Sequence, residues 1–274
     1  MRDGSVWVGA ALVLALGCGD DAATADGGGG SGGDGPVAPP TSEGRIELSA
    51  DPLDAFPPLG EGTRLSAYFG SPAEINCGVI DEAGPCVTSG CGFFLQPEVT
   101  DKDSAGELSL SGLFEVTATE QQPGLYSFGG GATLWKPGGS VTVRASGGVV
   151  PPFEVTLETA PIFETPGWVE ERPQSFSEDF VAPIEPFDGA VHVQFVTSAG
   201  GDSTTYFIEC ELDGALGEVR IPAASFAAID SPEALADGSL FLSSRASTEV
   251  VAGDYAIAVT ADTAVAWTRL VLSN

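Results

Sequence analysis

The residues of this chain that could do chemistry are five cysteines, one histidine and a large excess of carboxylates. Cys77, Cys86, Cys91 and Cys210 lie in the body of the chain, an even number as disulfide-bonded proteins of oxidising compartments have. The spacing Cys77-x8-Cys86-x4-Cys91 predicts a local bridge. Cys77–Cys86 is preferred, because those two flank the turn residues Asp81-Glu-Ala-Gly84, and Cys77–Cys91 is the alternative. The remaining cysteine is then left for Cys210. A bridge over so long a loop contributes about 4–5 kcal/mol in the chain-entropy view. Otherwise Cys210, within an apolar strand, is a buried thiol acting as a small hydrophobe. Neither zinc binding nor dithiol redox chemistry is expected, since there is no CxxC pair and a single histidine.

That histidine, His192, sits in Val191-His-Val-Gln-Phe195, where alternation puts it on the face opposite Val191 and Val193. It is expected at solvent or a loop edge. No Gly-x-Ser-x-Gly elbow accompanies it, so a Ser-His-Asp hydrolase is not expected. Gly201-Asp-Ser203 reads as a hairpin turn. Asp101 and Asp103 with Gly106 match a calcium loop at positions one, three and six. Ala105 at position five and Gly112 at position twelve break that pattern, so a turn is expected there. Paired carboxylates for glycoside hydrolysis can always be imagined among 39 acids, which makes the observation uninformative. Trp135, Trp168, Trp267, Tyr126 and Phe128 could stack on a sugar, but such aromatics more often fill a core. No phosphate or dinucleotide loop follows a strand and opens a helix. The expectation is a protein with no catalytic residues, no metal and no cofactor.

Cys18 stands apart. It ends an apolar run of about 11 residues, the length of a signal-peptide core and well short of the ~20 needed to span a bilayer. Arg2 provides the positive start, with Asp3 beside it. Ala15-Leu16-Gly17-Cys18 resembles a bacterial lipoprotein cleavage site, with Ala15 where Leu is usual. Residues 1–17 are therefore expected to be a signal peptide, and Cys18 an acylated N-terminus that holds the chain on a membrane. Gly19 precedes Asp20 and Asp21, which leans the expected location to the outer membrane of the cell envelope. Residues 18–44 read as a lipidated cysteine followed by a flexible Gly/Asp/Pro linker, too poor in large apolar side chains to order itself. About 26 such residues reach on the order of 25–30 Å.

Composition bounds the partners. The formal net charge is −29, which repels nucleic acid and anionic lipid headgroups and favours solubility. Hydrophobic residues at 43% are enough for a real core.

From Arg45 onward short alternating runs are punctuated by Gly and Pro. Examples are Arg45-Ile-Glu-Leu-Ser49, Thr63-Arg-Leu-Ser-Ala-Tyr-Phe69, Ser140-Val-Thr-Val-Arg-Ala145, Phe153-Glu-Val-Thr-Leu-Glu158 and Ala266-Trp-Thr-Arg-Leu-Val-Leu272. Gln121-Gln-Pro-Gly124 and Lys136-Pro-Gly-Gly139 supply turns, and one helical turn is expected from Ala223, after Pro222. This is an all-β chain. The Pro-rich stretch Pro161 to Pro173 suggests a boundary, giving two tandem Ig-like β-sandwich domains at 45–164 and 165–274. A weak repeat, with Gly139 to Leu157 echoed by Gly238 to Thr260, fits that division.

The motif Ala67-Tyr-Phe69, Cys77, Gly84-Pro-Cys-Val-Thr-Ser-Gly-Cys91 resembles the opening domain of uncharacterised lipoproteins from myxobacteria and their relatives. Phe207-Ile-Glu-Cys210, Gly217-Glu-Val-Arg-Ile-Pro-Ala-Ala224, Phe226 and Gly253-Asp-Tyr-Ala-Ile257 are similar to their second domain. The resemblance implies surface localisation and a tandem architecture, and no activity. The expected role is non-enzymatic: structural, adhesive or binding of a protein or glycan partner. A surface-attached carbohydrate- or calcium-binding module is the alternative.

Overall fold

The computed structural model describes residues 40, 42–51, 62–70, 77–91, 103–175, 177–198, 204–229 and 237–273. The expected signal peptide, Cys18, almost all of the linker and the turn at Gly201 lie outside them. The described chain is almost entirely β, as expected. In order come β1 (Ser42–Asp51), β2 (Gly62–Phe69), β3 (Cys77–Ala83), β4 (Cys86–Cys91), β5 (Leu108–Ser111), β6 (Glu115–Gln122), β7 (Leu125–Gly130), β8 (Ser140–Ala145) and β9 (Phe153–Glu158). There follow β10 (Glu171–Ser175), β11 (Phe180–Pro183), β12 (Ala190–Ser198), β13 (Thr205–Asp213), β14 (Glu218–Ile221), α1 (Ala223–Ala227), β15 (Asp237–Ala252) and β16 (Tyr255–Ser273). The first three residues of β1 fall inside the expected linker. Among the described residues no helix is long and apolar enough to cross a membrane, which says nothing of strands.

The hairpin β15–β16 is the spine. Its strands have 16 and 19 residues, so they extend roughly 50–60 Å. Only the two-residue turn Gly253–Asp254 separates them, with Gly253 at φ 61°, a left-handed value that glycine adopts without steric cost. The sequence around Asp262, with its small and acidic residues Ala261, Asp262 and Ala264, reads as a gap between two short strands. Pairing with β15 carries the strand through it, with an irregularity opposite Leu242 and Ser243 that leaves Val265 as the extra residue. The far side of β16 is shared. Strand β1 lies parallel to Tyr255–Thr263, and β10 lies parallel to Glu171's partner Arg269 and onward to Ser273.

Two cores form along this spine. The first gathers Ile46, Leu48, Leu65, Phe69, Tyr126, Trp135, Val141, Val143 and Phe153 with Ile257, Val259 and Ala261 of β16. Its covering sheet folds over at β6, which pairs with β5 through its first half and with β7 through its second. The second core gathers Phe180, Val191, Val193, Phe195, Ile208, Val219 and Phe226 with Leu240 and Leu242 of β15 and Leu270 of β16. The expected division after residue 164 falls between β9 and β10, yet the hairpin from 237 enters both cores. Cys86, from the first half, also belongs to the second core. Beside the first core two buried hydrogen bonds tie in its loop residues: Trp135 Nε1 donates to Thr263 Oγ1 at 3.1 Å, and Leu134 N donates to Thr63 Oγ1 at 2.7 Å. The two segments of the weak repeat differ as structures. One is the short pair β8–β9, the other the full-length spine.

The hairpin β3–β4 leaves the first half and extends the sheet of the second, β4 pairing antiparallel with β13. Its turn is Gly84–Pro85, with Gly84 at φ 61°. That short turn fixes a register in which Cys86 faces Ala83 and Cys91 faces Cys77. The preferred bridge Cys77–Cys86 is therefore wrong, since those residues sit at opposite ends of the ladder. Cys86 is bonded instead to Cys210, its partner across β13, over a sequence separation of 124. Cys91 is also disulfide-bonded.

Candidate functional site

Alternation sends the non-core side chains of the central strands to one common face. On β1, with Ile46, Leu48 and Ala50 in the core, Arg45, Glu47 and Ser49 turn the other way. On β12 and β13 the same rule turns out His192, Gln194, Glu209 and Glu211. The ladder aligns them into rows: Arg245 faces Asp262, which faces Ser49; Gln194 faces Glu209; His192 faces Glu211 and Ser243; Glu47 faces Thr260 and Ser66; Arg45 faces Tyr68.

At the centre Arg245 grips Asp262 with a two-pronged pair, Nε to Oδ1 at 2.8 Å and Nη2 to Oδ2 at 2.7 Å. The same Nη2 lies 3.0 Å from His192 Nδ1. A guanidinium can only donate, so Nδ1 accepts and the neutral ring carries its proton on Nε2. That Nε2 is buried without a hydrogen-bond partner. Gln194 Nε2 donates to Glu209 Oε1 at 3.0 Å. Glu47 Oε1 lies 2.7 Å from Arg45 Nε, paired by charge but off the line of a hydrogen bond. Arg45 also hydrogen-bonds Tyr68.

Burial dominates the electrostatics. It pushes Glu47 up to about 7 against the pull of Arg45, and Glu209 up to about 7 against its bond from Gln194. It takes His192 down to about 4, although Asp262 works the other way. Burial would raise Asp262 too, but the hydrogen bonds from Arg245, with the charges around it, outweigh that and hold the carboxyl below its usual range. Arg45 acts on both His192 and Glu209. Strands β1 and β13 stand four places apart in the sheet, about 19 Å if it were flat and largely screened at that range. The charges of this face thus influence one another across several strands.

The other sequence candidates fall elsewhere. His192 is buried rather than at solvent, with Arg245 packed beside it on the face that alternation assigned to it. As an acceptor at Nδ1 with a low pKa, it is a poor general base. Trp135 and Tyr126 fill the first core, while Trp168 packs edge-on to Phe180 against the second, so the five aromatics share no platform. The stretch around Asp103 is a turn. Tyr126 Oη accepts from Ala105 N at 3.0 Å, and Asp103 accepts from the Tyr255 hydroxyl. Asp179 Oδ1 accepts from Ala223 N at 2.9 Å and so tethers the start of α1, with Pro222 just before it. Among the described residues no three His, Cys, Asp or Glu side chains come together as metal ligands would. Cys18 lies outside the described residues, and of Cys77 only the backbone register is described.

Sequence reasoning missed Glu47, Glu209, Arg245 and Asp262. A charge between alternating apolar neighbours, as in Ile46-Glu-Leu48 or Ile208-Glu-Cys210, is what any half-exposed strand shows. Only the ladder, which sets Arg245 opposite Asp262, brings residues so distant in sequence together. What the arrangement can do is exchange protons near neutrality at two half-buried carboxyls and hold strands together by charge. No protein-family model matches the chain, and no curated protein is significantly similar to it in sequence.

Proposed function

We propose that the chain is a lipid-anchored protein of the cell envelope, tethered through acylated Cys18, with a structural, adhesive or partner-binding role and no catalysis of its own. The observation that carries this reading is the run to Leu16-Gly-Cys18 followed directly by a Gly-, Asp- and Pro-rich stretch with few large apolar side chains. The engaged cysteines Cys86, Cys91 and Cys210 support it, since such bridges persist in oxidising compartments. The lone histidine, neutral and turned toward an arginine, supports the absence of hydrolase chemistry. The likeness to myxobacterial surface lipoproteins and an outer-membrane location belong to the same proposal. The chain's own signal would direct the modification, and three acyl chains at about 0.8 kcal/mol per buried CH₂ hold a protein on a membrane essentially permanently.

The test is metabolic labelling with a palmitate analogue. Wild-type protein is expected to label and to fractionate with membranes, whereas Cys18→Ala accumulates unlabelled, as precursor or as soluble protein. Equal labelling and equal membrane recovery of Cys18→Ala would overturn the anchor.

A further inference from the structure

Strand β3 is the outermost strand at one end of the long sheet. One side of it is taken by the ladder with β4. Among the described residues its other side meets no strand, and residues 78–83 make no backbone hydrogen bond there. Such an edge offers its N–H and C=O groups to an extended chain that lies beside it. Two of its side chains are large, apolar and in water: Val79 is 45% exposed and Ile80 43%. Val79 faces Ser89 and Glu82 faces Val87, so these two share one face of the sheet. Ile80 is the extra residue of the irregularity between Val79 and Asp81; its Cδ1 reaches back over Gly90, beside the Tyr206 ring. Asp81 faces Thr88, on that same side. Each face of the edge thus carries one apolar and one acidic side chain. Other exposed places lack this combination. Leu113 and Phe114 are exposed side by side, but between β5 and β6, where the chain is not a strand. At the far end of the sheet β9 turns Glu154, Thr156 and Glu158 outward and buries Phe153 and Leu157.

The β3 edge is also held firmly. Cys86 is bonded to Cys210 of β13, Cys91 at the other end of β4 is disulfide-bonded too, and α1 packs against both strands of the hairpin. A partner meets a preformed edge and pays little ordering entropy to fix it. Charge decides the occupant. A second copy brings Asp81 and Glu82 against their own kind in a chain of net charge −29, and like charges across a strand pair destabilise it. The stretch 18–44 has no run of large apolar residues to set on Val79 and Ile80. We propose that the outer edge of β3 is a strand-docking site for an extended segment of a basic partner protein. The segment pairs its backbone with residues 78–83, sets two neighbouring apolar side chains against Val79 and Ile80, and passes two neighbouring lysines or arginines by Asp81 and Glu82. The irregularity at Ile80 interrupts the ladder, so a segment must match it, which makes the edge selective. This rests on the partner-binding part of the proposed role and is independent of acylation at Cys18.

The experiment measures binding of a fluorescent peptide to the full chain, followed by amide hydrogen exchange. The peptide carries a lysine pair and a valine pair between threonines and is about six residues long, to span the edge. It is expected to bind and to slow exchange in residues 78–83 while leaving β9 unchanged. Val79→Asp with Ile80→Asp is expected to weaken binding at least about tenfold although it adds negative charge, because the apolar seats are gone. Leu113→Asp with Phe114→Asp, an equal change of charge at the other exposed pair, is expected to leave binding as it was. A peptide with its amides N-methylated keeps its charge but cannot donate to a ladder, and is expected not to bind the wild-type chain. Absence of binding by the unmethylated peptide, equal binding by the methylated one, undiminished binding to the Val79/Ile80 variant, or unchanged exchange at residues 78–83 would each overturn the site. Loss of acylation in Cys18→Ala with peptide binding retained separates failure of the anchor from failure of this edge.

Discussion

Arg245 is the residue on which the polar face depends. Its side chain is only 5% exposed, and it neutralises Asp262 while donating a hydrogen bond to His192 Nδ1. Removing one member of a buried pair strands the other as an unpaired charge, at a cost of about 3–5 kcal/mol. Arg245→Met is expected to lose that much in denaturant unfolding. It should also let the Asp262 carboxyl rise, because the bonds that hold it low are gone. Arg245→Met with Asp262→Leu is expected to recover most of the loss, since apolar replacement of both partners leaves nothing unsatisfied. A double variant as unstable as the single one would mean that the fork is not the source of the effect.

The element that ties the halves together is the excursion β3–β4. Within the described residues it reaches the second core through its ladder with β13, the Cys86–Cys210 bond and the 3.1 Å hydrogen bond from Thr88 Oγ1 to the Ser225 carbonyl. Both cysteines are buried. Replacing them by serine is expected to cost about 2–5 kcal/mol and to expose residues 77–91 to limited proteolysis before the spine is cut. Cleavage first within β8–β9 would contradict this. Much at this scale was legible in advance. Alternation in Arg45–Ser49, Thr63–Phe69, Ser140–Ala145 and Phe153–Glu158 gave real strands, and Pro222 announced α1, because period-two patterning records which face is buried. The sequence did not reveal β10 or β11, whose mixed composition acquires strand geometry only from a neighbour. Nor could it show the continuity of β16 through Asp262, where propensity is overridden by sixteen ladder partners on β15. The cysteine pairing failed for a related reason: a turn placed at Asp81–Gly84 rather than Gly84–Pro85 changes which residues face each other.

At the scale of the whole molecule, the shared spine decides cooperativity. Because β16 supplies Ile257 and Val259 to one core and Leu270 to the other, neither core can lose it and remain. Trp135→Ala and Phe195→Ala, one in each core, are each expected to cost about 3–5 kcal/mol and to move the same single unfolding transition. Two separable transitions, each sensitive to one variant only, would show the cores to be independent. The charge of −29 acts over the same scale, keeping copies of the chain apart while leaving its interior pairs to specific partners.

The placement of β1 also has a mechanical meaning. It begins at Ser42, whose N–H donates to the Asp254 carbonyl at the spine's turn, and it runs bonded on both sides, parallel to β16 and antiparallel to β2. A pull on the N-terminal segment is directed along this strand rather than across it. Its hydrogen bonds on both flanks then bear the load together, in shear, instead of opening one after another like a zipper. A chain held by its N-terminus in moving fluid, or while gripping a partner, would thus be loaded at the strand best placed in its sheet to resist.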